Sequence, residues 1–351
     1  MRAPNIRTSG AAPGADGQVN LYISGEAREQ SWFNPQRRVV FVNGMLNSPS
    51  DHRDSATALS LLQGCPVIGV YNRTDGFWSD LGQCITDKAR LVHIQAEVGH
   101  LNFAQWVSAT QALFQQSQRF NPSLTLVDFV GSLIQDNAAT YALYGLLAGE
   151  GGIPRSTPIY CHSQGNLITS NALTAVALAL GVDALRDIEV HSFGSPCRYW
   201  PPGISRVNNA FTFDPVSWLD LRVDLSSSKI GFVCDHAFTR YMQHDAEFIV
   251  NRFRWGSFGL TASMDEVGLA EYLIRLGNNP TRVKPVFERL RDAHPSDSDD
   301  VAYEYTSRAS DSLLRSLKGS SPSLINLLIE LMDSGWTSSE EQEAILRLRA
   351  L

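Results

Sequence analysis

The chain has 351 residues, 43% of them hydrophobic and 19% charged, which is enough for one large α/β domain with an accessory unit. A net charge of −7 excludes broad electrostatic attraction to nucleic acid or anionic lipid, so nucleic acid is not an expected partner. The acidity is concentrated late: residues 265–351 hold 15 Asp and Glu against 10 Lys and Arg, which marks a separate unit with an acidic, solvated surface.

Residues 1–17 are polar, rich in Gly, Ala and Pro, and lack the apolar centre of a signal peptide; they read as a flexible arm. No stretch approaches the ~18 apolar residues of a membrane span, so no transmembrane segment is expected. The expected setting is cytoplasmic, with signal-independent secretion left open. Five cysteines (Cys65, Cys84, Cys161, Cys197, Cys234) form no C-x-x-C pair and lack metal-ligand spacing. They read as reduced, buried thiols, with one disulfide left open, and neither a metal nor a cofactor is expected.

A catalytic domain is expected over 18–255. Residues 18–24 alternate like an edge strand, and 37–43 and 66–71 are short, nearly all-apolar runs suited to strands buried on both faces. A helical stretch over 51–62 lies between them. This alternation predicts a mainly parallel sheet flanked by helices. About 85 residues then intervene before the next strand, more than one crossover helix needs. This helical insertion, 72–156, carries helical patterns near 91–114 and 124–147 and is a candidate lid.

The segment 157–167 is the most informative. An apolar run (Ile159, Tyr160, Cys161) stops at His162, Ser163, Gln164 and Gly165, and a helix-compatible run follows to Leu180. That is the strand, tight turn and helix of a nucleophile elbow, G-x-S-x-G, with Cys161 in place of the first glycine. The competing reading makes Ser163 a helix N-cap. Further strands are expected over 187–193, ending in Gly194, and over 206–213, ending in Asp214 and Pro215. A polar loop follows at 226–228, then an apolar run over 230–233. A helix opened by Asp235 and His236 runs on toward Phe253. Residues 255–263 read as a linker, and 265–351 as a helical module for docking or contact with a protein partner.

A serine hydroxyl needs an imidazole base, and the imidazole needs a carboxylate to fix its tautomer. In the order serine, acid, histidine, Asp214 at the end of a late strand suits the acid, with Asp220, Asp224 and Asp235 as rivals. His236 on a loop end suits the base, with His244, deeper in the same helix, as its rival. His162 is expected to point away and His191 to be packed in a strand. An oxyanion hole needs two backbone N–H donors. Gln164, next after the serine, supplies one, and Met45, on the loop after the 37–43 strand, the other.

These segments together resemble the α/β-hydrolase superfamily, and within it the class-3-type lipases. Val-Phe-Val-Asn-Gly-Met resembles the strand and oxyanion loop of that family, and Cys-His-Ser-Gln-Gly its elbow. Ser-Phe-Gly-Ser-Pro, then Asn208, Asn209 and Asp214-Pro215-Val216, resembles its course to the acid; His236 with Tyr241 resembles the segment that closes the site. The resemblance covers residues 37–241, about 60% of the chain. Cys161 and Asn166 depart from the commonest form.

The expected activity is hydrolysis of carboxylic esters, with a lipid or other small acyl ester as substrate, through Ser163, His236 and Asp214. A thioesterase, amidase or acyltransferase built on the same three residues is the alternative. So is a catalytically idle hydrolase fold acting as a binding scaffold.

Overall fold

The computed structural model describes residues 1–44, 47–73, 103–197, 199–217, 227–253, 264–333 and 337–351. Among these, seven short strands form one sheet: β1 (Val19–Tyr22), β2 (Val39–Val42), β3 (Val67–Val70), β4 (Ile159–His162), β5 (Glu189–Phe193), β6 (Ser205–Phe211) and β7 (Ser227–Ile230). Their order across the sheet is β1-β3-β2-β4-β5-β6-β7, with β1 antiparallel to β3 and all other neighbours parallel. The protein is thus α/β, with a mostly parallel sheet flanked by helices.

Successive side chains of a strand point to opposite faces, and the apolar runs serve both. Val39 and Phe41 join one core with Leu59, Phe238 and Tyr241, whereas Val40 and Val42 join the other with Leu143, Leu146 and Ile168. A short helix α1 (Gly25–Arg28) leads toward β2, and α2 (Pro49–Gln63) covers the first face. Helix α2 opens on a capping box between Ser48 and Asp51 with Pro49 in its first turn, and Gly64 ends it in the left-handed region.

The opposite face is covered by α3 (Phe103–Phe120), α4 (Leu126–Ile134), α5 (Ala138–Ala148) and α6 (Gly165–Leu180). The helical pattern over 124–147 is two helices, because Asn137 accepts from Thr140 N–H and starts α5 afresh. Val130, Ile134, Leu143 and Leu146 are buried against the sheet, so this part of the insertion builds core. Residues 74–102, about a third of the insertion, lie outside the described residues.

Two expectations are corrected. Residues 1–17 are not a loose arm: Ala3 N–H donates to Glu150 O (3.0 Å), Arg7 N–H to Val19 O (2.9 Å) and Leu21 N–H to Arg7 O (2.8 Å). A polar, Gly-rich stretch without apolar periodicity can still satisfy its backbone along the exposed side of β1. The polar loop at 226–228 overlaps β7, where Ser227 pairs with Asn208 and Ser228 with Asn209. Ladder bonds from β6 outweigh the low strand propensity of serine.

Helices α7 (Phe238–Gln243) and α8 (Asp245–Val250) break at His244, and α9 (Glu266–Arg275), α10 (Pro280–Ala293), α11 (Ser298–Arg308), α12 (Asp311–Ser320), α13 (Pro322–Met332) and α14 (Ser339–Ala350) complete the chain. Within the module, α11 and α12 are split where Ser310 accepts from Leu313 N–H and caps α12. These helices share a core of their own, which also takes in Ile249, Val250 and Phe253. Arg282, buried on α10, ties this unit to the sheet domain. Its guanidinium donates to both Asp245 carboxylate oxygens (2.7 and 3.2 Å) and to Gln63 Oε1 (3.0 Å). Burial opposes its charge, but Asp245 holds Arg282 protonated well above the ordinary arginine range. No helix among the described residues is long and apolar enough to cross a membrane.

Candidate active site

From β2 the chain passes to β3 on one side and later to β4 on the other. The loops leaving the C-terminal ends of β2 and β4 therefore diverge and leave a crevice, the place where ligands bind in open parallel sheets. Gly44 follows β2 there, and Ser163 follows β4. A Cβ on Gly44 would lie 2.4 Å from Ser163 Cβ and 3.1 Å from its Oγ, so only glycine fits. Gly165 is equally confined, since a Cβ there would stand 2.4 Å from Val42 O.

Ser163 itself has φ 53°, in the left-handed region that costs a non-glycine residue roughly 1–2 kcal/mol. This is the sharp turn from β4 into α6, and it is held from both sides. Ser163 N–H donates to Phe193 O (3.0 Å), and Ser163 O accepts from Asn166 N–H (3.0 Å). The residue is only 1% exposed and sits at the N-terminus of α6, the positive end of the helix dipole.

Asp214 and His236 meet beside it. His236 Nδ1 is 2.7 Å from Asp214 Oδ2. A carboxylate can only accept, so Nδ1 carries the proton and Nε2 keeps its lone pair. That Nε2 is buried and has no hydrogen-bond partner among the described residues. No bond joins it to Ser163 Oγ; such bonds are often open in unliganded sites and close around substrate. Asp214 is fully buried and receives three donors: His236, Tyr241 OH on the same Oδ2 (2.6 Å), and Val216 N–H on Oδ1 (2.9 Å). Burial pushes its pKa up, but these donors outweigh it and hold the carboxyl below its usual range. Gly194, at the end of β5, has φ 53°, and a Cβ there would lie 2.6 Å from Asp214 Oδ2 and 2.9 Å from His236 Cε1.

His162 does more than point away. Its Nε2–H donates to His236 O (2.6 Å) and its ring lies 4.6 Å from the His236 ring, which links the residue before Ser163 to the base. Burial, then the neighbouring His236, lowers the His162 pKa to about 3, so its ring is neutral and can serve as this donor.

The rivals are engaged elsewhere or undescribed. Asp235 Oδ1 accepts from the backbone N–H groups of His236 (2.7 Å) and Ala237 (2.9 Å), and Oδ2 faces Arg240, so Asp235 shapes the turn that carries His236. Asp220 and Asp224 lie outside the described residues. His244 stands at the break between α7 and α8, edge-on to Phe211 and 3.6 Å from Glu247, away from Asp214. His191 stacks on Tyr160 and meets Glu189 at 2.6 Å, within the sheet as expected.

Of the two expected oxyanion donors, Gln164 begins α6 beside Ser163, and Met45 lies outside the described residues. The sequence reading missed a belt of buried amides that ties the strand ends together. Asn43 after β2 and Asn72 after β3 exchange bonds: Asn43 Nδ2 donates to Asn72 O (2.9 Å), and Asn72 N–H to Asn43 Oδ1 (2.8 Å). Asn72 Nδ2 donates on to Gln164 Oε1 (2.9 Å). An asparagine one or two residues after each of two buried strands was the available signal. Cys161 is fully buried inside the sheet core, which leaves it no direct contact with anything entering the crevice. The described cysteines are free thiols, and no group of three or more His, Cys, Asp or Glu among the described residues could hold a metal ion.

The geometry can generate a nucleophile: a strained serine at a helix N-terminus beside an imidazole whose tautomer a buried carboxylate sets. No protein-family model, curated protein or solved structure matches the chain.

Proposed function

We propose that this protein is a serine hydrolase of carboxylic esters, of the α/β-hydrolase type and similar to the class-3 lipases. The observation that carries the reading is the Asp214–His236 pair, 2.7 Å apart, beside a serine of φ 53° at the sheet's switch point.

In this mechanism His236 Nε2 takes the Ser163 proton as Oγ attacks the ester carbonyl carbon. The carbonyl π electrons move to oxygen, and the resulting oxyanion faces the Gln164 N–H and the α6 N-terminus; Met45 N–H is the proposed second donor. Collapse expels the alkoxide, which leaves as alcohol with the proton from His236. Water then attacks the acyl-enzyme with His236 again as base, releasing the carboxylic acid and restoring Ser163. Asp214 keeps Nδ1–H in place and stabilises the imidazolium, and Tyr241 and Val216 keep Asp214 ionised. The proposed substrates are lipid or other small acyl esters. The chemistry calls for no metal or cofactor.

A fluorophosphonate probe tests the reading. Intact protein is labelled and Ser163→Ala is not; an unlabelled wild type, or labelling that survives Ser163→Ala, refutes it. Turnover of p-nitrophenyl acetate, butyrate and long-chain esters then ranks acyl length, and a preference for acetate defeats the lipid assignment. His236→Ala abolishes turnover, whereas His244→Ala retains most of it.

A further inference from the structure

The two departures from the commonest elbow sequence, Cys161 and Asn166, touch one another. Cys161 Sγ–H donates to Asn166 Oδ1 at 3.1 Å, and Ser192 Oγ–H donates to the same oxygen at 2.5 Å. On its other side, Asn166 Nδ2 donates to Ser163 O (2.8 Å) and Phe193 O (3.1 Å). Two carbonyls can only accept, and the hydroxyl and thiol point their protons at Oδ1, so the network fixes the amide's orientation. Asn166 is fully buried, and all of its side-chain bonding capacity is used on the elbow and the end of β5.

Phe193 O is the carbonyl that also accepts Ser163 N–H. The Asn166 amide thus closes a ring: Ser163 N–H to Phe193 O, Phe193 O to Asn166 Nδ2, and Asn166 Nδ2 back to Ser163 O. The peptide group after Ser163 is bonded to the Asn166 side chain directly, and the one before it through Phe193 O. Resting on the hydrolase reading above, we propose that Asn166 is a positioning residue for the nucleophile. It holds Ser163 in its strained conformation, with Cys161 and Ser192 orienting its amide. Cysteine replaces glycine at the first elbow position because its thiol supplies the proton that Asn166 Oδ1 accepts.

The test uses the full chain and compares Asn166→Ala and Asn166→Asp with wild type. Asn166→Ala is labelled by the fluorophosphonate about ten- to a hundredfold more slowly, as expected when a nucleophile loses its alignment. Its kcat on p-nitrophenyl butyrate falls while KM stays near the wild-type value, because the buried amide reaches no substrate. In Asn166→Asp a carboxylate faces two carbonyls at neutral pH. Its labelling rate relative to wild type rises as pH is lowered, since a protonated carboxyl regains a donor. A residue that only fills space does not produce that pH profile. Asn166→Ala labelled within about twofold of wild type, with circular dichroism unchanged, overturns the proposal. Amide exchange separates this proposal from the hydrolase reading. Should the wild type itself go unlabelled, the hydrolase reading fails, and exchange at Ser163 N–H still decides the clamp. Exchange about tenfold faster in Asn166→Ala than in wild type supports the clamp, and unchanged exchange overturns it.

Discussion

His52→Leu isolates one buried titration. His52 lies on α2, fully buried, edge-on to Tyr22 and Tyr71 and stacked on Phe41, and neither ring nitrogen has a hydrogen-bond partner among the described residues. Burial lowers its pKa from the ordinary 6.5 to about 3. The folded protein therefore keeps His52 neutral in a range where the unfolded chain takes up a proton. The stability it contributes is complete above pH 6.5 and is lost as pH falls toward about 3. The slope is about 1.4 kcal/mol per pH unit, with a ceiling of roughly 4–5 kcal/mol over the whole window. Leucine has similar volume, no charge and no polar atoms to strand, so near pH 7.5 the variant is about as stable as wild type or more so. Urea unfolding of both proteins from about pH 7.5 to 4.5 measures the difference, in which contributions shared by both proteins, including that of His162, cancel. The variant's advantage grows by about 1.4 kcal/mol for each pH unit below 6. A difference that stays flat across that range refutes the reasoning.

Tyr241→Phe removes one of two donors on Asp214 Oδ2 but keeps the ring stacked on Phe211. Losing a bond to a charged group costs about 1.5–3 kcal/mol, so fluorophosphonate labelling slows by roughly ten- to a hundredfold while the fold persists; unchanged labelling counts against Asp214 as the orienting carboxylate. Gly44→Ala brings a Cβ to 2.4 Å from Ser163 Cβ, and labelling drops by at least about a hundredfold, unless Gly44 lies elsewhere than beside the nucleophile. Arg282→Met leaves Asp245 without its buried partner and lowers stability by about 3–5 kcal/mol in urea. Adding Asp245→Asn recovers part of that loss, and additivity of the two changes would show that the pair is not coupled.

The serine was legible because it follows β4, whose apolar run is unmistakable; Asp214 and His236 come after β6 and β7, and parallel strands deliver their C-terminal ends to the same edge. Elements with strong local signals also match: the runs at 37–43 and 66–71 became β2 and β3. Weak local signals failed for a physical reason. Ser227 and Ser228 are poor strand formers that β6 recruits through its unpaired backbone, and residues 1–17 are ordered by bonds to β1 and to Glu150. These partners lie a dozen residues away or more, beyond the reach of a local pattern.

What the sequence by itself determined is the periodicity, the caps and the types and order of reactive residues, since these depend on neighbours a few positions apart. Only the tertiary structure decided which side chains meet. It brought Tyr241 to Asp214, His162 to the His236 carbonyl, Asn72 to Gln164, and Arg282 to Asp245 across 37 residues. It also paired Cys161 with Asn166, which as a sequence looked like two unrelated departures from a motif. Hydrogen bonds are directional and short-ranged, so their partners are set by the packing of strands and helices, and no local pattern in the chain encodes that packing.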